Sequence, residues 1–133
     1  MRVVFDTNIL VSAVVTPGGR GEAALMRIID GWDSLVISRA IIEELLGVLA
    51  RKFGRDPEQL ARGAVFLAEL AEVVEPDHDV DVLEDEPDNR ILECAASGSA
   101  AIIVTGDRAM LDLGTYEGID IISLHEFLIR SDA

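Results

Sequence analysis

Arg2-Val3-Val4-Phe5-Asp6-Thr7-Asn8 decides how this chain folds. Three consecutive apolar residues stop at an acid, and a polar pair follows. A short unbroken apolar run of this kind suits a strand buried on both faces, which is the habit of parallel sheets. The acid then falls at the carboxyl end of that strand, where open α/β sheets bind their ligands.

Outward from this stretch, β-rich runs alternate with helical periodicity. Strands are expected at Leu35-Val36-Ile37, Val73-Val74, Ala101 to Val104 and Asp120 to Ile122. Helices are expected over Asn8 to Val15, Gly21 to Gly31, Ala40 to Phe53, Pro57 to Ala71, Pro87 to Ser97, a short piece after Asp107, and His125 to Ile129. Ser38 is a good N-cap for the helix after the second strand, and Pro57 suits a first helical turn. The acidic stretch from Asp77 to Glu86 reads as loop, with a weak strand at Val80 to Leu83. Alternation of this kind signals an α/β fold with a mostly parallel sheet. No repeat or linker divides the 133 residues, so a single domain spanning 1–133 is expected.

Composition narrows the chemistry. Cys94 is the only cysteine, so neither an intrachain disulfide nor a cysteine-built zinc site is available. The thiol sits in an apolar helical pattern and reads as a small buried hydrophobe. His78 and His125 lack zinc-motif spacing. No apolar run reaches the ~20 residues of a membrane span, and Met1 to Asn8 has no signal-peptide pattern. The cytoplasm is the expected compartment.

Net charge is −14, which by itself argues against a polyphosphate substrate. The acid is unevenly spread, however: residues 69 to 93 hold eleven carboxylates and one arginine. Arg51, Lys52, Arg55 and Arg62 form a local basic patch that suits RNA contact. Trp32 and Phe127 read as core or dimer contacts.

Four acids stand where a site would form. Asp6 and Asp107 each follow a strand. Asp88 shares a helix face with Ile91, Leu92 and Ala95. Glu44 falls at the edge of the apolar arc built by Ile41, Leu45, Val48 and Leu49, while Glu43 lies nearer the solvent face. Carboxylates gathered in a low-dielectric pocket repel one another strongly. A hard divalent cation such as Mg²⁺ or Mn²⁺ relieves that repulsion and can drive phosphodiester hydrolysis.

The pattern resembles a known family. Val4-Phe5-Asp6-Thr7-Asn8, Ile37-Ser38 through Glu44-Leu45, Asp88 through Ala95, and Val104-Thr105-Gly106-Asp107-Arg108 resemble, in order, the motifs of PIN domains. The prokaryotic branch similar to VapC toxins is the best match. The resemblance implies a three-layer α/β/α sandwich and a Mg²⁺- or Mn²⁺-dependent endoribonuclease. It implies Asp6, Glu44, Asp88 and Asp107 as the acidic quartet, with Asp6, Asp88 and Asp107 on the metal. Asn8 and Thr105 are implied as supporting polar groups and Ser38 as a cap. A homodimer and inhibition by a small antitoxin are also implied. One departure is Ala109, where relatives often carry a further Asp; Asp112 lies too far along the helix to replace it.

Two other functions compete. A phosphatase-like α/β enzyme would need an acid where Asn8 stands and a well-placed lysine, and the only lysine is Lys52. A non-catalytic module keeping the PIN fold would accommodate Ala109 and the acidic charge.

Overall fold

The computed structural model describes residues 1–77 and 79–130. His78 and residues 131–133 lie outside the described part.

The chain order is β1 (Arg2–Phe5), α1 (Thr7–Val15), α2 (Arg20–Ile29), β2 (Ser34–Ser38), α3 (Arg39–Phe53), α4 (Pro57–Leu70) and β3 (Glu72–Val74). It continues with α5 (Glu86–Ser97), β4 (Ile102–Val104), α6 (Arg108–Leu113), β5 (Thr115–Tyr116), β6 (Ile119–Ile122) and α7 (Leu124–Ile129). Among the described residues, six strands form one sheet in the order β3-β2-β1-β4-β6-β5. Every pairing is parallel except β5 with β6. The mostly parallel sheet is what the alternation predicts, and helices flank it as the α/β/α sandwich that the resemblance implies.

The order places the site. The chain moves outward from β1 through β2 to β3, then returns to lay β4 on the other side of β1. A reversal of this kind opens a crevice between the carboxyl ends of the two central strands. Phe5 pairs with Val104, and the Asp6 amide donates to the Val104 carbonyl at 2.9 Å. Asp6 and Thr105 therefore leave the sheet side by side.

Val3, Val4 and Phe5 are fully buried, as are Ile103 and Val104. Phe5 meets Phe127 edge-on, with ring centroids 5.5 Å apart. Trp32 is not a core residue, since 61 % of it is exposed. No helix among the described residues is long and apolar enough to cross a membrane.

Two local features differ from expectation. Val80 to Leu83 is loop rather than strand, because its amides are already taken. The Asn89 side-chain oxygen accepts from the Val82 and Leu83 amides at 3.1 and 2.8 Å, and Glu93 accepts from the Val80 amide at 2.7 Å. An amide held this way cannot donate to a ladder. The second difference is β5, an added strand joined to β6 by Glu117 and Gly118, both at positive φ (49° and 79°). Two such residues in succession match the tight turn that suits strand twist.

Candidate active site

Asp6 takes the N-cap position of α1, yet its side chain makes no capping bond. Instead its Oδ2 accepts a 2.6 Å hydrogen bond from the Thr105 hydroxyl. Only 5 % of Asp6 is exposed. Burial pushes its carboxyl pKa above the usual range; the Thr105 hydroxyl opposes this, and the Asp107 charge adds to it.

Thr105 is fully buried and joins two acids. While its hydroxyl donates to Asp6, its oxygen accepts from the Asp107 amide at 3.0 Å. Asp107 also caps α6, accepting from the Met110 amide at 3.0 Å. Capping and site membership therefore coexist at this residue: one oxygen fixes the helix start and thereby fixes the carboxylate.

Asp88 comes from the first turn of α5 and is 6 % exposed. Among the described residues its Oδ2 is buried without a hydrogen-bond partner. Its pKa rises from 3.8 to about 7. Burial is the main cause, followed by the charges of Asp107, Asp6 and Asp85 and by a hydrogen bond with Asp107. Three acids from β1, β4 and α5 thus share one electrostatic environment, as the strand-end and helix-phase arguments expect. Asp85, which reads from sequence as ordinary acidic loop, stands close enough to join it.

Glu44 stands to one side. It is half-buried on α3 and lines a cavity with Thr7, Ala40, Ile41, Glu86, Pro87 and Arg90. Thr7 directly follows Asp6, so this cavity adjoins the trio. Glu43 is exposed and paired with Arg39 at 2.9 Å, in agreement with helix phase. The Asn8 amide helps hold the Asp6 charge, but its side chain is exposed. Ser38 accepts from the Ile41 amide at 3.3 Å and caps α3.

The basic residues do not join the trio. Arg51 and Lys52 lie in the last turn of α3, Arg55 lines an apolar groove, and Arg62 pairs with Glu58 at 3.5 Å. On the acidic side, α5 staples the loop that carries Asp85. Asn89 is fully buried, with its Nδ2 donating to the Leu83 carbonyl at 2.8 Å. Arg90 donates to the Val80 carbonyl at 3.0 Å and to Glu93 at 2.7 Å. Sequence reasoning passed over Asn89 and Glu93, because their partners lie in a loop with no periodicity. The only available signal is that each sits beside the apolar stripe of α5.

Among the described residues no three Asp, Glu, His or Cys side chains are grouped tightly enough to hold a metal ion as they stand. What the site offers is mutually repelling carboxylates, one with an unpaired buried oxygen. An acidic, all-oxygen donor set fits a hard divalent cation.

Residues 2–109 match the family model of the PIN domain. The chain belongs to the PIN domain family. The matched span takes in Asp6, Glu44, Asp88 and Asp107. This PIN domain is 27 % identical over 117 residues to the uncharacterized protein MJ1680 of Methanocaldococcus jannaschii, covering 85 % of this chain and 75 % of that one. Its fold is similar to a chain in the crystal structure of VapBC2 from Rickettsia felis bound to a promoter DNA fragment. There the TM-score is 0.65 and the identity 14 %, over 92 % of this chain and 98 % of that chain. It is similar as well to a chain of VapBC-1 from nontypeable Haemophilus influenzae. The TM-score is 0.64 and the identity 20 %, over 94 % and 99 % of the two chains.

Proposed function

We propose that this PIN domain is a metal-dependent endoribonuclease. The observation that carries the reading is the meeting of Asp6, Asp88 and Asp107 at the crevice between β1 and β4, with Asp88 Oδ2 buried and unpaired. Asp6, Asp88 and Asp107 are the ligands for Mg²⁺ or Mn²⁺. A divalent cation, when bound, supplies Lewis acidity toward a phosphoryl oxygen and eases loss of a proton from water.

The protein's own groups do the rest. Thr105 ties Asp6 and Asp107 together, so two of the three ligands would need little movement to close on an ion. Asp88, whose pKa is raised to about 7, would have to release its proton to solvent in order to hold the cation. Glu44, beside the trio, orients water or accepts its proton. No Ser, Cys or Lys nucleophile is required.

The likeness to chains of VapBC complexes supports a toxin-type role with a small antitoxin as partner; a homodimer as the working form and a cytoplasmic location belong to the same proposal. The single domain 1–133 is the catalytic unit. A second reading, a PIN-fold module without catalysis, draws on Ala109, which is exposed on α6 where an added acid would extend the set.

The test is incubation with single-stranded and structured RNAs in Mn²⁺ or EDTA. Cleavage is expected in Mn²⁺ alone and is expected to vanish in Asp6→Asn. Cleavage in EDTA, or by Asp6→Asn, would overturn the mechanism. Mn²⁺ binding without cleavage of any RNA would favour the non-catalytic module.

A further inference from the structure

Gly47 sits in the interior of α3, where glycine weakens a helix relative to alanine. The space its missing side chain leaves is taken by Arg51. A Cβ at position 47 would meet Arg51 Nη1 at 2.7 Å, Cζ at 3.5 Å and Nη2 at 3.7 Å. No other element stands as near, so close packing between helices does not explain the glycine. The Arg51 side chain runs back toward the start of α3, the direction in which helical side chains lean.

That direction matters. Glu44, Gly47 and Arg51 lie three and seven residues apart, on one stripe of the helix. Folded over Gly47, the Arg51 guanidinium lies about one turn, roughly 5 Å, along the axis from Glu44. A cation serving the helix dipole would stay by the last carbonyls; this one is carried toward the acidic crevice. Arg51 and Lys52 are exposed and Arg55 is half-buried, and none of the three side chains has an ion-pair or hydrogen-bond partner among the described residues. In a chain of net charge −14 these cations stand apart.

We propose that Arg51, laid on the bare backbone at Gly47, binds a phosphate of the RNA strand beside the one being cut and sets the strand's register over the acids. This rests on the nuclease reading and specifies how its substrate is held. Lys52 and Arg55 extend the track along the strand.

The test is binding, not turnover. Fluorescence anisotropy follows a labelled single-stranded RNA on wild type, Gly47→Ala, Arg51→Gln and the double variant, in EDTA, from 50 to 200 mM salt. Gly47→Ala displaces only the flexible end of Arg51 and favours the helix, and thermal melts confirm that every variant is folded. Each single variant is expected to weaken binding several-fold and to make the salt slope shallower by about 0.7, the loss of one phosphate contact. The double variant is expected to be no weaker than Arg51→Gln alone. Binding by both single variants equal to wild type would overturn the proposal while leaving the nuclease reading intact. If wild type binds RNA neither in EDTA nor with Ca²⁺ added, the nuclease reading itself falls. A polyglutamate peptide serves as control: if its binding, and not that of RNA, depends on Arg51, the surface docks an acidic protein and the proposal is wrong.

Discussion

Asp88 carries the largest tension of any residue in the site. Its folded pKa of about 7 lies above its ordinary 3.8, so folding favours the protonated form. Between these values the unfolded chain has lost its proton while the folded chain keeps it. The contribution of Asp88 to the stability of the metal-free protein therefore falls as pH rises from about 4 to about 7. Asp88→Asn is expected to raise the melting temperature in EDTA at neutral pH and to flatten that pH dependence. Mn²⁺ is expected to stabilise wild type but not this variant, since metal binding to the native state raises stability. A scan of melting temperature against pH, with and without Mn²⁺, checks both. An Asp88→Asn melting point lower than wild type in EDTA would contradict the repulsion. Thr105 makes a different demand. Thr105→Val keeps the shape but removes the 2.6 Å bond to Asp6 and the acceptor for the Asp107 amide. Mn²⁺ affinity is expected to drop by about 10–100-fold, measured by calorimetry, with circular dichroism unchanged.

At the scale of elements, α5 does two jobs: its first turn supplies Asp88, and Asn89 beside it, with Arg90 and Glu93, holds the acidic loop. Asn89→Ala would leave the Val82 and Leu83 amides and the Leu83 carbonyl without their side-chain partner. An unpaired polar group costs about 1–3 kcal/mol when buried, and this part-buried loop is expected to lose about 2 kcal/mol in urea denaturation. Faster proteolysis between residues 79 and 85 should accompany it. What sequence could and could not reveal divides along the same lines. The strands β1, β2 and β4 were legible because two-sided burial writes an apolar run, and β6 because Ile121 and Ile122 follow a turn. Asp6 and Asp107 were legible because each ends such a run, and Asp88 because helix phase puts it above Ile91 and Leu92. The link through Thr105 was not, since it joins residues 99 apart. Neither was β5, whose turn places Glu117 in a backbone region that glutamate rarely visits. Val80 to Leu83 misled because its apolar residues alternate like a strand, while buried side chains of α5 had already claimed its amides.

For the whole molecule, the end of the sheet opposite the crevice is held by a buried ion cluster. Asp33, 5 % exposed, accepts from Arg27 at 3.1 Å and Arg130 at 3.0 Å, with the Met1 amino group at 3.7 Å. Both guanidiniums also lie over the Phe127 ring, at 5.2 and 4.9 Å from its centroid. The cluster ties α2, the strand β2 and the residues after α7 together. Removing one partner of a buried ion set strands the others, at about 3–5 kcal/mol. Asp33→Asn is expected to destabilise by about that amount while leaving Mn²⁺ affinity unchanged, because the crevice lies at the other end of the strands. Parallel urea and calorimetric titrations check the separation; a matching fall in affinity would show that the two ends are coupled.

The bond between Asp6 and Thr105 has one more consequence, for synthesis. A ribosome makes Asp6 first and its partner Thr105 only 99 residues later. Until β4 has emerged and docked beside β1, the carboxylates have no common environment. On the nuclease reading, the centre therefore assembles only once the strand that completes it has been made and docked, so an emerging chain with β1 alone has nothing to cut with.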